Sequence, residues 1–521
     1  MRGAQPLDPR AERTPTSRGD GEIEERRLDS LLGMIDRTVL DPARRIFVNR
    51  NMRMDVIRQI GFDMDYTLLP YRKRSLEELS FRLTAERLVD KHGHPPEVLS
   101  IPYDPSFVVR GLVVDKRLGN IFKMDGHHHV GRVYHGRRAL PKEERRALYR
   151  SQKIRVGSAK YHWIDTLFAL PEGALYADVI DLFELRLKRT PVEYWALFDQ
   201  IRASIDECHR DGSLKTIIKA DPDRFVEPDP DLPHTLHKLR SAGKRLFVLT
   251  NSHWDYTQAM MSHLLDGRLA DYPSWLNYFD LVLVAADKPS FFTENRDFFE
   301  VDHRTGKVAS EPAARFERHH VYQGGCLKRF EEILDVAGEQ ILYVGDHIYG
   351  DIIRSKKETL WRTALILTEL EDEIRLWPKV QHAQDDLLEL EERQAMLEQE
   401  ITTLRLKLSA LETAIDDSPG RERVELDELA RLRRQLRSAF DERRKDLRTV
   451  VDRRESLSDE VERLFNPFWG SVFKEGAENS RFGKQVESYA CLYTSRVSNL
   501  LFYSPQQYFR APRHWMAHEK L

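Results

Sequence analysis

Two aspartates one residue apart, Asp63 and Asp65, follow an apolar run that ends at Phe62. The length and the β-branched residues of Val56–Phe62 predict a buried strand. Because every second side chain of an extended segment lies on the same face, the two carboxylates should lie a few ångströms apart. Like charges at that separation require a cation between them or a proton on one of them. The pair is therefore typical of a metal-held nucleophile beside a general acid/base, although an Asp-x-Asp tripeptide alone is more often a solvated turn.

Two later motifs supply groups that can hold a phosphate. Thr250, Asn251 and Ser252 follow the apolar run RLFVL. Their hydroxyl and amide groups, with neighbouring backbone N–H groups at a strand end, would form an anion cradle. Lys288 follows the run FDLVLVAA, where a lysine can neutralise charge that moves between a phosphate and an aspartyl group. Each motif alone could equally be a helix cap or a turn.

A fourth motif, GDHIYGD, follows the run ILYV and contains Asp346 and Asp351. Carboxylate oxygens at a strand end suit Mg²⁺, which binds few carboxylates together with water and phosphate oxygens. Open α/β sheets bind their ligands beyond the carboxyl ends of the strands. Four motifs in this order, each after a predicted strand of one sheet, jointly indicate a catalytic site.

The elements that must position these motifs alternate between strand and helix. The helical segments are predicted at Pro230–Ala242, His253–Leu265 and Gly325–Val336. This alternation predicts an α/β fold with a doubly wound parallel sheet. The strands after the first are predicted at Lys244–Thr250, Phe279–Ala286, Gln340–Gly345 and Thr363–Leu367.

The spacing of the motifs also predicts the domain organisation. Residues 66–249 separate the first motif from the second and are too many for a strand–helix connection, so they should contain an inserted cap. The chain begins with a mobile tail that should become helical around Glu22–Ile35. The predicted units are a tail at 1–44, a core at 45–71 and 230–380, a cap at 72–229, a helical hairpin at 381–465 and an aromatic-rich segment at 466–521.

Residues 381–465 carry two runs of apolar residues at heptad spacing, the first including Leu387, Leu390, Leu397 and Ile401. The break at Ser418-Pro419-Gly420 favours an antiparallel helical hairpin within one chain. A coiled coil that joins two subunits is the alternative. The aromatic residues of 466–521 should pack on the globular part or on a second subunit.

Composition excludes several classes of function. The net charge of −3 and the pI of about 6.7 give no reason to expect nucleic acid or a membrane surface as a partner. Three widely spaced cysteines without a CxxC motif argue against a disulfide framework and a zinc site. With no apolar run long enough to span a bilayer, we expect a cytoplasmic protein.

The stretch GFDMDYTL, with RIFVNRNMRMDVI just upstream, resembles the cytosolic purine 5′-nucleotidase family of the haloacid dehalogenase-like (HAD) superfamily. The similarity runs from about Arg45 to Trp377 and resumes near Phe482–Arg510. It includes RGLVVDKRLGNIFKMD, DTLFALPE, GSLK, VYQGG and GDHIYGDIIRSKK. The resemblance implies a Rossmann-like core with an inserted cap, a Mg²⁺ cofactor and an aspartyl-phosphate intermediate.

The resemblance also assigns a role to each motif residue. It makes Asp63 the nucleophile and Asp65 the general acid/base, with Lys288 stabilising the phosphate. The phosphate-binding residues would be Thr250, Asn251 and Ser252. The metal ligands would be Asp63, the backbone carbonyl of Asp65, Asp346 and Asp351.

Further residues fall on the nucleotide-binding positions of the family. Phe168 would stack on the purine, and the other substrate-binding residues would be Arg202, Asp206, His209 and Lys215. The helical spacing of Arg202, Asp206 and His209 also fits a plain solvated helix face. The family's regulatory nucleotide site would be formed by Arg155, Asp165, Tyr349 and Lys357, and the resemblance implies a homo-oligomer, either a dimer or a tetramer.

The sequence therefore predicts a Mg²⁺-dependent phosphomonoesterase that acts on nucleoside 5′-monophosphates, with purine bases favoured. Transfer of the phosphoryl group to another nucleoside would be a second outcome of the same chemistry. The alternatives are a HAD phosphatase acting on another phosphorylated metabolite and a non-catalytic scaffold organised by the hairpin. Asp63, Asp65, Lys288 and Asp346 together argue against the scaffold.

Overall fold

The computed structural model describes residues 40–152, 154–348, 359–416, 423–513 and 519. The predicted helix at Glu22–Ile35 and the predicted turn at Ser418-Pro419-Gly420 lie outside the described residues. Within them, no helix is long and apolar enough to traverse a bilayer. Cys208, Cys326 and Cys491 are buried and form no disulfide with one another.

In the described part of the chain, nineteen strands form one large sheet, one medium sheet and two short ribbons. In chain order they are β1 (Phe47–Val48), β2 (Met52–Arg53), β3 (Gln59–Phe62), β4 (Val113–Asp115), β5 (Asn120–Met124), β6 (Val130–His135), β7 (Arg138–Ala139), β8 (Tyr161–Trp163), β9 (Arg245–Leu249), β10 (Leu281–Val284), β11 (Phe298–Val301), β12 (Val308–Pro312), β13 (His320–Gly324), β14 (Ile341–Gly345), β15 (Arg362–Ile366), β16 (Lys474–Glu475), β17 (Glu478–Asn479), β18 (Leu492–Thr494) and β19 (Tyr508–Phe509).

The α-helices flank the large sheet, form much of the cap and build the hairpin. They are α1 (Lys73–His92), α2 (Lys142–Tyr149), α3 (Leu170–Asp181), α4 (Tyr194–Arg210), α5 (Ser213–Ala220), α6 (Pro222–Phe225), α7 (Leu232–Ser241), α8 (Trp254–Leu265), α9 (Ser290–Thr293), α10 (Leu327–Leu334), α11 (Glu369–Asp416), α12 (Arg423–Phe465) and α13 (Arg481–Tyr489).

The large sheet has the strand order β1-β18-β15-β14-β3-β9-β10-β13-β11-β12. All strands from β18 to β13 run parallel, and the antiparallel strands lie at the two edges. Strands β3, β10 and β14 are buried along their whole length, as expected for a parallel sheet covered on both faces. The predicted doubly wound α/β core is confirmed.

Strand β18 comes from the aromatic-rich C-terminal segment and lies between β1 and β15. This segment therefore completes the central sheet of its own chain. The core consequently extends beyond the predicted ranges 45–71 and 230–380. A strand of three residues is too short to give a periodic signal, which explains why the sequence did not reveal it.

The cap contains a five-stranded antiparallel sheet of order β7-β6-β5-β4-β8. The segment Gly111–Met124 contains two of these strands. The segment forms β4 and β5, which pair antiparallel with Val113 opposite Phe122. Gly119 lies in the turn between them with φ of 69°, a left-handed conformation that glycine adopts without strain.

Helices α11 and α12, of 48 and 43 residues, pack against each other as the predicted helical hairpin. Val380 packs with Leu457 and Val461 near the globular part, and Ile401 and Phe440 belong to a second cluster farther out. The predicted boundary at 381 falls inside α11, because the helix starts at Glu369 and continues through Pro378. A proline removes one helical hydrogen bond and favours a boundary, but packing along a long helix can outweigh that cost.

Candidate active site

Asp63 and Asp346 lie side by side at the carboxyl edge of the large sheet. They follow the neighbouring parallel strands β3 and β14, and the backbone N–H of Asp63 donates to the carbonyl of Val344 over 2.9 Å. Only 9% of Asp63 and 4% of Asp346 is exposed to solvent. Two carboxylates so close and so buried need positive charge nearby.

Lys288 supplies such a charge. Its Nζ lies 2.9 Å from Oδ1 of Asp63 and donates to the hydroxyl of Tyr343 over 2.8 Å. The Asn251 side chain fixes the lysine backbone, since it donates to the Lys288 carbonyl and accepts from the Lys288 N–H. The first and third motifs are therefore in contact. The ammonium group of Lys288 is held where it can neutralise negative charge that develops beside Asp63.

Both carboxylate oxygens of Asp65 accept hydrogen bonds. The hydroxyl of Tyr71 donates to Oδ1 over 2.6 Å, and that of Ser252 donates to Oδ2 over 2.8 Å. Tyr71 is in turn 2.8 Å from the hydroxyl of Tyr256. The orientation of the Asp65 carboxyl is thus fixed from two sides.

The Thr250–Ser252 motif lies after β9, beside both aspartates. Thr250 and Ser252 are buried, while Asn251 is exposed. The backbone N–H of Ser252 donates to Oγ1 of Thr250 over 3.1 Å. The motif therefore contributes to the site in two ways, by orienting Asp65 through Ser252 and by fixing Lys288 through Asn251.

Lys215 connects the cap to the core. It lies on α5, and its Nζ donates to the hydroxyl of Ser252 over 3.2 Å. The same ammonium group is 4.9 Å from the ring centre of Tyr256. A cap residue thus reaches a side chain that itself holds Asp65.

Phe168 lies in the cap next to Tyr66, the residue that follows Asp65. Its ring packs edge-on against Tyr66 at 4.8 Å and against the imidazole of His209 at 5.3 Å. Burial, together with the positive charges of Lys215 and Arg202, lowers the pKa of His209 to about 4. The imidazole is therefore neutral at pH 7, and it can donate or accept a hydrogen bond.

Arg202 binds Asp206 and also Glu172, a residue that the sequence did not single out. Arg202 donates to Oε2 of Glu172 over 2.8 Å and to Oδ2 of Asp206 over 3.1 Å. Glu172 is fully buried. Burial acts to raise the pKa of Glu172, but His162 and Arg202 outweigh it and hold that pKa below its ordinary value. The guanidinium is thus engaged within the cap.

The oxygen donors at the sheet edge have the chemistry that Mg²⁺ prefers. The carboxylates of Asp63 and Asp346 and the carbonyl of Asp65 are hard oxygen ligands, and Mg²⁺ keeps several waters in its shell. Asp351 lies outside the described residues. Within the ranges that the structure covers, no three His, Cys, Asp or Glu side chains are grouped as a metal site. The fit therefore rests on two carboxylates and one carbonyl.

Comparison with known proteins assigns the chain to a family. The 5′-nucleotidase family matches residues 46–521. The chain belongs to this family. It is similar to a 5′-nucleotidase domain-containing protein of Dictyostelium discoideum, with 29% identity over 487 residues that cover 92% of this chain and 75% of that protein. It is also similar to 5′-nucleotidase domain-containing protein 2 of Homo sapiens, with 28% identity over 520 residues that cover 98% and 91%.

A solved HAD phosphatase from Thermococcus onnurineus overlaps 60% of this chain and 87% of its own, with 15% identity and a TM-score of 0.25. Membership in the 5′-nucleotidase family agrees with the resemblance seen in the sequence.

Arg110 is a further residue of this 5′-nucleotidase family member that the sequence did not reveal. Its fully buried guanidinium donates to the backbone carbonyl of Asp346 over 2.8 Å and to both carboxylate oxygens of Glu369 over 2.6 Å. Burial acts to raise the pKa of Glu369, but Arg110 outweighs it and keeps the carboxyl ionised. Arg110 thus joins the loop after β14 to the first turn of α11.

The regulatory nucleotide site predicted from the family is covered only in part. Arg155 is exposed, and Oδ2 of Asp165 lies 3.2 Å from Nε2 of His347. Tyr349 and Lys357 lie outside the described residues. The effector site therefore stays a prediction.

Proposed function

We propose that the protein is a Mg²⁺-dependent 5′-nucleotidase that hydrolyses purine nucleoside 5′-monophosphates. The observation that supports this most is the arrangement of Asp63, Lys288 and Asp65 at the carboxyl edge of the sheet. One carboxylate is paired with an ammonium group, and the other is oriented by two hydroxyls. Family membership gives the reaction class, and the residue roles, the metal and the base preference are our assignments.

The roles follow from the contacts. A carboxylate oxygen of Asp63 attacks phosphorus, and the bond to the 5′-oxygen breaks, which gives an aspartyl-phosphate. Asp65 donates a proton to the leaving 5′-oxygen and then takes one from a water. The oxygen of that water bonds to phosphorus while the bond between phosphorus and Asp63 breaks, which releases phosphate and restores the Asp63 carboxylate. Lys288 neutralises charge on the phosphoryl oxygens throughout. A bound Mg²⁺ would supply electrostatic stabilisation of the same oxygens.

The same site also supports phosphotransfer as a second outcome. Asp65 is placed to take a proton from whichever hydroxyl approaches the aspartyl-phosphate. When a nucleoside 5′-hydroxyl replaces water, the product is a new nucleoside monophosphate. The competing rates would depend on how well the cap holds a second nucleoside.

The cap contacts support recognition of a base. Phe168 lies within ring-packing distance of Tyr66, the residue after Asp65. A nucleotide whose base stacked on Phe168 would therefore have its phosphate toward Asp63 and Asp65. Neutral His209 offers a hydrogen bond without adding charge. Lys215, which reaches Ser252, can contact the phosphate or ribose.

We place the protein in the cytoplasm. Its three cysteines are buried and form no disulfide with one another, which fits a reducing compartment. A homo-oligomer is also part of the proposal, and the hairpin gives one specific form of it below.

The deciding experiment is an assay of phosphate monoesters with and without Mg²⁺. The panel compares inosine, guanosine, adenosine, cytidine and uridine 5′-monophosphates with ribose 5-phosphate, and Asp63→Asn serves as the inactive control. Faster turnover of purine monophosphates that requires Mg²⁺ would support the proposal. Equal turnover of ribose 5-phosphate would mean that the base is not read, and activity in Asp63→Asn would exclude the assigned nucleophile.

A further inference from the structure

Beyond Val380, three large apolar side chains on the outer face of α11 are exposed to solvent. Leu388, Met396 and Leu406 are 59%, 53% and 67% exposed. None of them occupies the heptad seam with α12, which includes Leu397, Ile401 and Leu408. Single exposed leucines are common on protein surfaces. The three are spaced almost symmetrically, because Leu388 and Leu406 lie nearly the same distance on either side of Met396.

Charge is separated along the hairpin. Residues 383–393 of α11 contain five Asp or Glu residues and one arginine. Farther out, residues 401–411 of α11 and 431–440 of α12 contain six Lys or Arg residues and no Asp or Glu. These charges do not serve the pairing of α11 with α12. In the part of the hairpin that the structure describes, a single ion pair joins the two helices, between Arg443 and Glu400 at 2.8 Å.

We propose that a second copy of this chain packs its hairpin antiparallel along the outer face of α11. A two-fold axis near Met396 would place Leu388 of each copy against Leu406 of the other. The same operation brings the acidic segment 383–393 of each copy against the basic segment 401–411 of the other. A contact of this kind is isologous, because each surface is complementary to itself after rotation.

The opposite orientation is disfavoured. Two hairpins that lay side by side with their tips together would place the basic segments of both copies against each other. Like charges that face each other across an interface cost free energy, so that pairing is less stable. Only the antiparallel arrangement satisfies both the charges and the leucine spacing.

The area of the contact along α11 sets the expected strength of the association between two copies. At 1.5 Å per residue, Val380–Asp416 spans about 54 Å, and a contact about 10 Å wide would bury on the order of 500 Å² per copy. The total of about 1,000 Å² is at the low end for a specific interface. Because exposed charges contribute much of the complementarity, the association should weaken as salt is raised.

Charge exchange tests the proposal. One variant replaces Glu389, Glu391 and Glu392 by lysine, and a second replaces Arg405 and Lys407 by glutamate. All five side chains are exposed. Each variant alone should have about half the solution mass of the wild type in sedimentation equilibrium at low salt, because like charges then face each other. Mixing the two variants should restore the wild-type mass, since both contacts become complementary again.

A matched control for the first variant changes the same number of acidic residues on the globular part, with Asp90, Glu97 and Asp271 replaced by lysine. It should keep the wild-type mass, and circular dichroism should show unchanged helix content in all variants. The proposal is wrong if either hairpin variant keeps the wild-type mass, or if mixing fails to restore it. Association of the hairpin with an unrelated protein instead of a second copy would also overturn it.

Disulfide cross-linking tests the register independently. Met396→Cys should cross-link to itself, because it lies near the two-fold axis, and the bond requires Cα atoms within about 7 Å. Leu388→Cys alone should not, because its copies would be about 27 Å apart at 1.5 Å per residue. An equal mixture of Leu388→Cys and Leu406→Cys should cross-link as heterodimers. Efficient self-linking of Leu388→Cys would instead show the tips-together orientation and overturn the proposal.

Discussion

The carboxyl edge of the large sheet and the helical hairpin are both rich in charged residues, but they use them in opposite ways. At the sheet edge, Asp63 and Lys288 are each 9% exposed and lie within 3 Å of each other. On the hairpin most charges face solvent, and Arg443–Glu400 is the single ion pair between the described parts of the two helices. Removing one partner of a buried pair costs about 3–5 kcal/mol, whereas an exposed pair contributes about 0–1 kcal/mol. Buried charge at the sheet edge is therefore costly to disturb, whereas exposed charge on the hairpin is available for association.

The strongest test of this contrast is Asp63→Asn. We expect turnover to fall more than about 10³-fold while the fold persists, because an amide cannot attack phosphorus. Hydrolysis rates and circular dichroism measure the two effects separately. Asp385→Asn on the hairpin is the matched control and should leave turnover unchanged. A folded Asp63→Asn enzyme with near-normal hydrolysis would remove Asp63 from the nucleophile role.

The buried Glu77 gives a second test of the contrast between buried and exposed charge, through its effect on the free energy of unfolding. Burial raises the pKa of Glu77 to about 7, although Lys73 and Tyr103 act in the opposite direction. The folded protein therefore keeps this proton to higher pH than the unfolded chain does. Stability contributed by the protonated group is complete below pH 4.5 and is lost as pH rises to about 7, by about 3 kcal/mol.

Glu77→Gln should remove that dependence, so the variant gains stability relative to the wild type above pH 7. Urea denaturation at pH 5 and pH 8 measures the difference. The exposed Glu398→Gln is the control and should leave the free energy of unfolding unchanged at both pH values. Identical pH profiles for the wild type and Glu77→Gln would contradict the assigned shift.

Tyr71→Phe tests whether orientation of Asp65 matters. The variant loses a hydrogen bond of 2.6 Å to the Asp65 carboxylate. Hydrogen bonds to charged groups contribute about 1.5–3 kcal/mol, so kcat should fall about 10-fold to 100-fold. Tyr256→Phe keeps the bond between Tyr71 and Asp65 and should have a smaller effect. If both variants lost the same activity, Tyr71 would be acting only through packing.

Phe168→Ala tests recognition of the base. Stacking on an aromatic ring is worth about 1–3 kcal/mol per base, so KM for purine monophosphates should rise by about 5-fold to 150-fold. KM for ribose 5-phosphate should change much less. Phe168→Tyr retains the ring and is the control. Equal changes for both substrates would mean that Phe168 supports the core and that the base is read elsewhere.

Deleting the hairpin should have the smallest effect on catalysis. Replacing residues 388–456 by a short flexible linker keeps the contact between Val380 and Leu457, and the cut ends meet across the seam. We expect kcat to be unchanged within about 2-fold and the solution mass to fall to that of the charge-exchange variants. A folded deletion that lost turnover without a change in association state would place the hairpin in the active site.

The parts of the site that the sequence predicted are those with a local signal. Asp63, Asp65, Thr250, Lys288 and Asp346 each follow an apolar run, and parallel strands bring those ends together. The large sheet was predicted for the same reason, since strands and helices alternate along most of its length.

Residues that act through contacts distant in sequence were missed. Arg110 bonds to Glu369, 259 residues away, and Tyr71 meets Tyr256, 185 residues away. Neither pair leaves a periodic pattern in the sequence, because tertiary structure alone makes them neighbours. Strand β18 was missed because three residues carry too little pattern to identify a strand.

The buried bridge through Arg110 has a mechanical consequence. Helix α11 starts at Glu369, so Arg110 connects the root of the hairpin to the backbone of Asp346. A helix of 48 residues is about 70 Å long, and a tilt of about 5° at its root would move its far end by about 6 Å. A small change of angle at the Arg110 bridge would thus be largest at the far end of the hairpin.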